Sequence, residues 1–393
     1  MFNKAILPVL VASAFSANAE LVQDATMVDG KAARVIFEYH NGGKEALIAA
    51  IEAAGGEVKR LLDHDNSLAA VIDVDAYSQL KNLKTIKSTE IDPKRSHIPT
   101  NMTQVGFTDF VPYGVSMVQA DQLNYMGGIK VCVVDTGYDL GHPELPQSTV
   151  TGDDEGAGPW YQDGHGHGTH VAGTIAALDG NGGLTGVLGS GMPELHIVRV
   201  FNSAGGFVYA SDLAGAVHDC ADAGSKVINM SLGGAFSTKV EERAFARIQR
   251  AGVLSVAAAG NDGNATFSYP ASYDSVVSVA AIDSNMDHAS FSQRTSQVEL
   301  AGPGVNVIST YPGGYYANAS GTSMASPHVA GVAALVWSHF PECNNYEIRN
   351  ALSASAMDLG DSGYDYKYGN GLVQAKAAYD HLLATGCDGK GVK

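Results

Sequence analysis

Tryptophan, cysteine, proline and positive charge are all scarce in this 393-residue chain, which has two tryptophans, four cysteines, 13 prolines and 24 basic residues against 41 acidic ones. A net charge of −17 excludes the basic face that a polyanion requires, so no nucleic acid is expected as a partner. Four cysteines are too few for a disulfide-built scaffold, though they allow three full pairings. Cys343 and Cys387 flank predicted C-terminal helices and are the expected pair. Cys132, in a predicted buried strand, and Cys220, in a predicted helix, can be free core thiols, and a second pairing between them stays open. Long apolar runs are lacking as well. The run from Ala5 to Phe15 is too short to span a bilayer as a retained helix. Lys4 precedes it and Ala17-Asn-Ala19 follows with the small-x-small form of a signal-peptidase site, so residues 1–19 are expected to be a signal peptide. The protein is then expected to be secreted, with no membrane partner once that segment is removed.

Glycine, by contrast, is abundant at 46 residues, above the typical ~7%, while proline falls below ~5%. That balance suits a flexible, cold-tolerant chain, and equally suits glycine-rich loops around a site. The length exceeds what one hydrophobic core usually serves, so two folded units are expected after the targeting segment. Residues 33 to about 95 predict a small α+β domain of order βαββαβ, the split ferredoxin-like pattern, with its first strand at Arg34–Tyr39 and a helix from Lys44 to Ala54 that Gly55-Gly56 ends. From Val115 to Ala378 strand-like and helical runs alternate, as in an α/β fold with a mainly parallel sheet covered on both faces. Strands are predicted near 130–134, 196–200, 226–230, 253–257 and 276–280, and helices starting near His167, Ser211, Lys239 and Ser323.

The most informative stretch is Gly321-Thr-Ser-Met-Ala-Ser-Pro-His-Val-Ala-Gly331, which sets Ser323 at the start of an apolar helix. Unpaired N–H groups there can hold the charge that forms when a hydroxyl attacks a carbonyl. Such a serine needs a base and an acid to orient the base. Val131-Cys-Val-Val-Asp135 reads as a buried strand delivering an aspartate at its carboxyl end, where open α/β sheets place their sites. Asp163-Gly-His-Gly-His167-Gly-Thr-His170 follows as a glycine-rich loop entering a helix. Its alternative reading is a metal site of His165, His167 and His170, although a metal on the base would occupy the lone pair that Ser323 needs. Asp135 alone could equally be a strand-ending cap, and Asn261, in Ala-Gly-Asn-Asp-Gly, an ordinary turn residue.

The motifs VVDTG, HGHGTHVAGTIAA and GTSMASPHVAG, in that order, resemble the three signatures of the subtilase family of serine peptidases, and the likeness extends over roughly residues 108–385. It implies a subtilisin-like three-layer fold preceded by the small ferredoxin-like domain as an inhibitory propeptide (residues 20–100), with the peptidase domain at 101–393. It implies Asp135 as orienting acid, His167 as base, Ser323 as nucleophile and Asn261 as oxyanion donor, with no cofactor for the chemistry. Protein and peptide substrates and the chain's own propeptide are the implied partners of a monomer, which cuts itself between Ser96 and Thr108. Ser231-Leu232-Gly233-Gly234 and Ala258-Ala259-Gly260 are the implied walls for an extended peptide, and Gly206-Phe207-Val208 a further apolar subsite. Preference for an apolar or aromatic residue before the cut bond is expected, modified by Ser268 at the pocket floor. The acidic run Asp153–Glu155 and Asp163 would either favour basic substrates or form a solvated loop. A structural calcium is also implied, held by Glu144, Asn181 and Asp109 with the backbone of Leu178 and Val187, and oxygen-rich loops of this kind suit a hard cation.

Overall fold

The computed structural model of the protein describes residues 27–28, 32–98, 100–106, 111–180 and 182–388. The expected signal segment lies outside the described residues, as do Asp109 and Asn181 of the expected calcium set. The chain divides into two compact units.

The smaller unit comprises residues up to Lys94 with two short pieces, Tyr209–Ser211 and Thr238–Val240. Its central strand, Ala32–Tyr39, lies antiparallel between Ser67–Asp73 and Ile86–Ile91, and Glu57–Leu62 pairs with the far side of Ser67–Asp73. Helices Lys44–Ala53 and Val74–Leu80 complete a βαββαβ order. Asp73 starts the second helix by accepting the Asp75 N–H at 2.8 Å, one of the donors that a helix leaves unpaired at its first turn. Phe37, Leu47, Ile51, Leu68 and Ile72 form its buried core.

The larger unit is built on a seven-stranded sheet with every pairing parallel. Its order runs Val298–Pro303, Val276–Ile282, Leu254–Ala258, Val227–Met230, Val131–Asp135, Leu195–Arg199 and Val150–Asp153. The inner strands are continuous apolar runs because both faces are covered. Side chains alternate along Val131–Asp135. Asp135 and Val133 therefore face the helix His167–Ala176, and Cys132 faces the other way. A disulfide from Cys132 to Cys220 (Cα–Cα 5.7 Å) ties the helix Ala210–Asp222 to that opposite face. The helix Thr322–His339 is buried along nearly its whole length, which explains why its apolar residues show no preferred side.

Of the two states open to Cys132 and Cys220, the structure has the pair and not the free thiols: strand and helix are adjacent layers, so two buried cysteines 88 residues apart come within bonding reach. Cys343 and Cys387 are paired as well. Two flanking strands, Val150–Asp153 and Val298–Pro303, were not legible, since one is a short half-exposed edge containing Gly152 and the other ends in Gly302-Pro303. Closing a loop of this length constrains the unfolded chain, so replacing Cys132 and Cys220 together by alanine should cost about 2–5 kcal/mol. Chemical denaturation monitors that loss, and a non-reducing peptide map with no Cys132–Cys220 fragment would contradict the pairing.

Candidate functional site

The carboxyl edge of the large sheet gathers the residues that the motifs single out. Asp135 ends its strand fully buried, and its Oδ1 accepts from His167 Nδ1 at 2.7 Å and from the Thr136 N–H at 2.7 Å. His167 is the first residue of its helix, and the glycines around it are required by space. Gly166 has φ +95°, and a Cβ there would lie 2.2 Å from the Tyr311 ring. A Cβ at Gly168 would lie 2.3 Å from the Gly137 carbonyl. Gly168 therefore lets the helix start approach the end of the Asp135 strand, and Gly166 makes room for Tyr311.

Asp163 holds this entry loop in shape. Its Oδ1 accepts from the Thr136 hydroxyl and from the N–H groups of His165 and Gly166 at 2.8–3.1 Å, while Oδ2 accepts from Thr169 N–H and hydroxyl at 2.9 and 2.7 Å. It is buried and engaged, so it offers no charge to a substrate. Asp153, the first of the acidic run, pairs with His196 at 3.1 Å. Burial is the largest influence on the His167 pKa and disfavours the charged ring, but the Asp135 charge and hydrogen bond, with Asp163 behind them, outweigh it and raise the pKa above 6.5.

The other two histidines of the motif diverge. His170 is fully buried, with Nε2 facing the carbonyls of Val307 and Ala317 at 3.1 Å each, and burial, then His167, pushes its pKa down to about 3. It packs behind the base, so the three-histidine metal site is not assembled. His165 points toward the cleft, where its ring centroid lies 4.7 Å from that of His97 and 6.2 Å from that of His167.

Ser323 sits in the first turn of the helix Thr322–His339, and its Oγ donates to the Ser231 carbonyl at 3.3 Å. The Asn261 Oδ1 accepts from the Thr322 N–H and hydroxyl, both at 2.9 Å. Its Nδ2 consequently lies beside Gly321, 2.9 Å from where a Cβ would stand. Ser326 donates to Asn229 at 2.7 Å from inside the helix. Two strand ends lead into this region: Ser231 follows Val227–Met230, and Asn261 follows Leu254–Ala258.

The cleft already contains a peptide of the same chain. The strand Lys94–His97 lies in a three-stranded sheet between Phe207–Tyr209 and Leu232–Gly233. His97 is opposite Leu232 and Ser96 opposite Gly233, antiparallel. The Ile98 N–H donates to the Ser231 carbonyl at 3.5 Å, the same oxygen that receives the Ser323 hydroxyl. Beside this peptide a pocket of about 160 Å³ is lined by Gly233, Gly234, Gly260, Asn261, Thr266, Phe267, Ser268 and Gln293. Ser268 narrows it, since its Oγ lies 2.4 Å from where a Cβ of Gly233 would stand. Ala258 and Ala259 are buried behind the lining and do not face the pocket.

Of the expected calcium ligands, only Glu144 is a described side chain. It is 2% exposed, and a Cβ at Gly183 would lie 2.6 Å from its carboxylate. Gly183 thus packs against a buried carboxylate, an oxygen donor of the kind that a hard cation favours.

A buried aspartate–histidine pair and a serine in the first turn of a helix, set at the carboxyl ends of parallel strands beside an extended peptide, are the marks of a serine endopeptidase. Residues 127–371 match the subtilase family. The chain is 43% identical to subtilisin DY of Bacillus licheniformis over 277 residues, covering 68% of this chain and 98% of the relative. It is 37% identical to an alkaline protease of Shouchella clausii over 95% of this chain and 96% of that one. Among solved structures, the psychrophilic subtilisin-like protease Apa1 from the Antarctic psychrotroph Pseudoalteromonas sp. AS-11 aligns with TM-score 0.67 at 32% identity, over 72% of this chain and 99% of its own. Fervidolysin from Fervidobacterium pennivorans, a keratinolytic enzyme related to subtilisin, aligns with TM-score 0.77 at 28% identity, over 90% of this chain and 62% of its own. The chain belongs to the subtilase family, and it is a subtilisin-like serine endopeptidase.

Proposed function

We propose that the protein is made as a secreted zymogen that cuts itself and then hydrolyses peptide bonds in proteins through Asp135, His167 and Ser323. The observation that carries this reading is the peptide Ser96–Ile98 lying as an added antiparallel strand on Leu232–Gly233, with Ile98 and the Ser323 hydroxyl meeting at one carbonyl. Strand addition reads backbone before side chain. Preference next to the cut bond is accordingly broad, favouring apolar or aromatic residues within the limits that Ser268 sets.

In the reaction, the Ser323 Oγ attacks the substrate carbonyl while His167 Nε2 takes its proton, and Asp135 stabilises the imidazolium so formed. The oxyanion is held by the Asn261 amide and the Ser323 N–H, contacts that strengthen as charge develops. His167 then protonates the leaving amine, and water releases the acyl group by the same steps. The reaction uses no cofactor. Residues 1–19 direct export, residues 20–100 act as the inhibitory propeptide, and 101–393 form a monomeric peptidase domain with the cut in the stretch 96–108. Glu144, with backbone oxygens of Leu178 and Val187 and with Asn181 and Asp109, would hold a calcium ion, which supplies stability to the loop and takes no part in the chemistry.

Three measurements test these assignments. The expressed chain should release a fragment of about 100 residues, read by gel and mass spectrometry, and a Ser323→Ala chain should not; release from both would end the self-processing reading. Since His167 acts only as the neutral ring, kcat/KM of the processed enzyme should fall as pH drops, with a midpoint above the ordinary histidine value of 6.5. A midpoint below that value would contradict the Asp135 assignment. Chelating calcium should lower Tm by several degrees, equivalent to about 1–4 kcal/mol of lost binding, and Glu144→Ala should abolish the calcium dependence; an unchanged dependence would remove Glu144 from the site.

A further inference from the structure

Arg95, the residue that leads the seated strand, is one of the largest fully buried side chains of the protein, with 0% exposure. Its Nε and Nη2 donate to the two carboxylate oxygens of Glu241 at 3.0 and 2.6 Å, and Nη2 also donates to the Phe236 carbonyl at 2.8 Å. Glu241 is itself fully buried in the first turn of the helix Lys239–Arg250, where the Tyr273 hydroxyl donates to its Oε2 at 2.7 Å. Tyr273 is fixed in turn between the rings of Tyr269 and Phe245, with centroids at 4.8 and 6.0 Å. A carboxylate, a phenol that orients it and a carbonyl at its rim thus meet the guanidinium from outside the tail.

Its position along the cleft follows from the pairing. Ile98 adjoins Ser323 at the Ser231 carbonyl, Ser96 faces Gly233, and Arg95 stands three residues before Ile98. Resting on the endopeptidase reading above, we propose that Glu241, Phe236 and Tyr273 form a guanidinium-binding subsite, so that the enzyme selects protein substrates carrying arginine at the fourth residue before the cut bond. When the tail leaves, the buried Glu241 carboxylate keeps Tyr273 but loses the guanidinium. An apolar side chain entering the slot makes neither of the guanidinium's hydrogen bonds to Glu241, and a buried ion pair that loses one member is strongly disfavoured. Arginine restores both parallel hydrogen bonds. Lysine, a point charge with a strongly hydrated head, restores only part of them. The basic preference expected from the acidic loop thus belongs to a different carboxylate. Asp163 is spent on shaping the loop, whereas Glu241 presents its two oxygens along the substrate's path.

Pro99 follows Ile98 in the tail, so added peptides, not the tail itself, are the proper probe. Enzyme released from the full chain would be assayed on chromogenic tetrapeptides identical except for arginine, lysine, leucine or alanine at the first residue. Arginine should exceed leucine and alanine in kcat/KM by at least ~30-fold, with lysine between them. In Glu241→Leu the leucine peptide should become the better of the two, and Tyr273→Phe, which keeps the carboxylate, should retain an arginine preference reduced severalfold. Arginine and leucine peptides cleaved within threefold of each other by the unsubstituted enzyme would overturn the subsite, whether or not the Glu241 variant folds. Failure to cleave any peptide would instead count against the endopeptidase reading itself.

Discussion

Burying a carboxylate beside an imidazole is costly unless each satisfies the other, and the pair of Asp135 and His167 is the constraint around which the large unit is arranged. Both side chains are sealed from water and joined at 2.7 Å. A central strand must deliver the aspartate at its last residue, and a helix must begin with the histidine. Gly168 lets that helix start touch the strand end, and Asp163 pins the entry loop through five hydrogen bonds. The parallel sheet makes the arrangement possible, because it brings the carboxyl ends of several strands to one edge, where Ser231 and Asn261 also emerge.

The cleft along that edge is met by the seated strand mainly through backbone groups, with one buried side-chain ion pair. A strand of the chain occupies it by main-chain pairing, which tolerates many sequences. Arg95 is the exception, since its guanidinium enters a fully buried slot that ends in Glu241. Broad acceptance next to the nucleophile and discrimination farther along are compatible. The proposed breadth rests on glycine-lined walls, and the proposed discrimination on a buried carboxylate that accepts both guanidinium hydrogen bonds.

Much of this was legible in the linear chain, because the chemistry-bearing residues lie in short local motifs. Ser323 before an apolar helix, Asp135 at the end of a β-branched run and His167 after glycines each carry their local structure with them. The strand and helix starts follow from that periodicity to within a residue or two. The family resemblance placed Asn261 and the walls at 231–234, and Ser268 narrows the pocket beside Gly233. The Lys44–Ala53 helix was similarly apparent, ending as it does before the left-handed Gly55.

What the tertiary structure alone decided are relations between residues distant in sequence. Cys132 and Cys220 could be free core thiols or a pair until two layers placed them 5.7 Å apart. Asp163 read as part of a loop that would either draw basic substrates or lie in solvent, and only the packing of Thr136 and Thr169 around it turned it inward. Glu241 gave no signal at all: an acidic residue in the first turn of an amphipathic helix is ordinarily solvated, and here it is buried with Tyr273 and Arg95 bonded to it. Local sequence determines conformation through dihedral preference and periodic burial, which act over a few residues. The burial and pairing of a charge depend on which segments meet, and that is settled only when the sheet has formed.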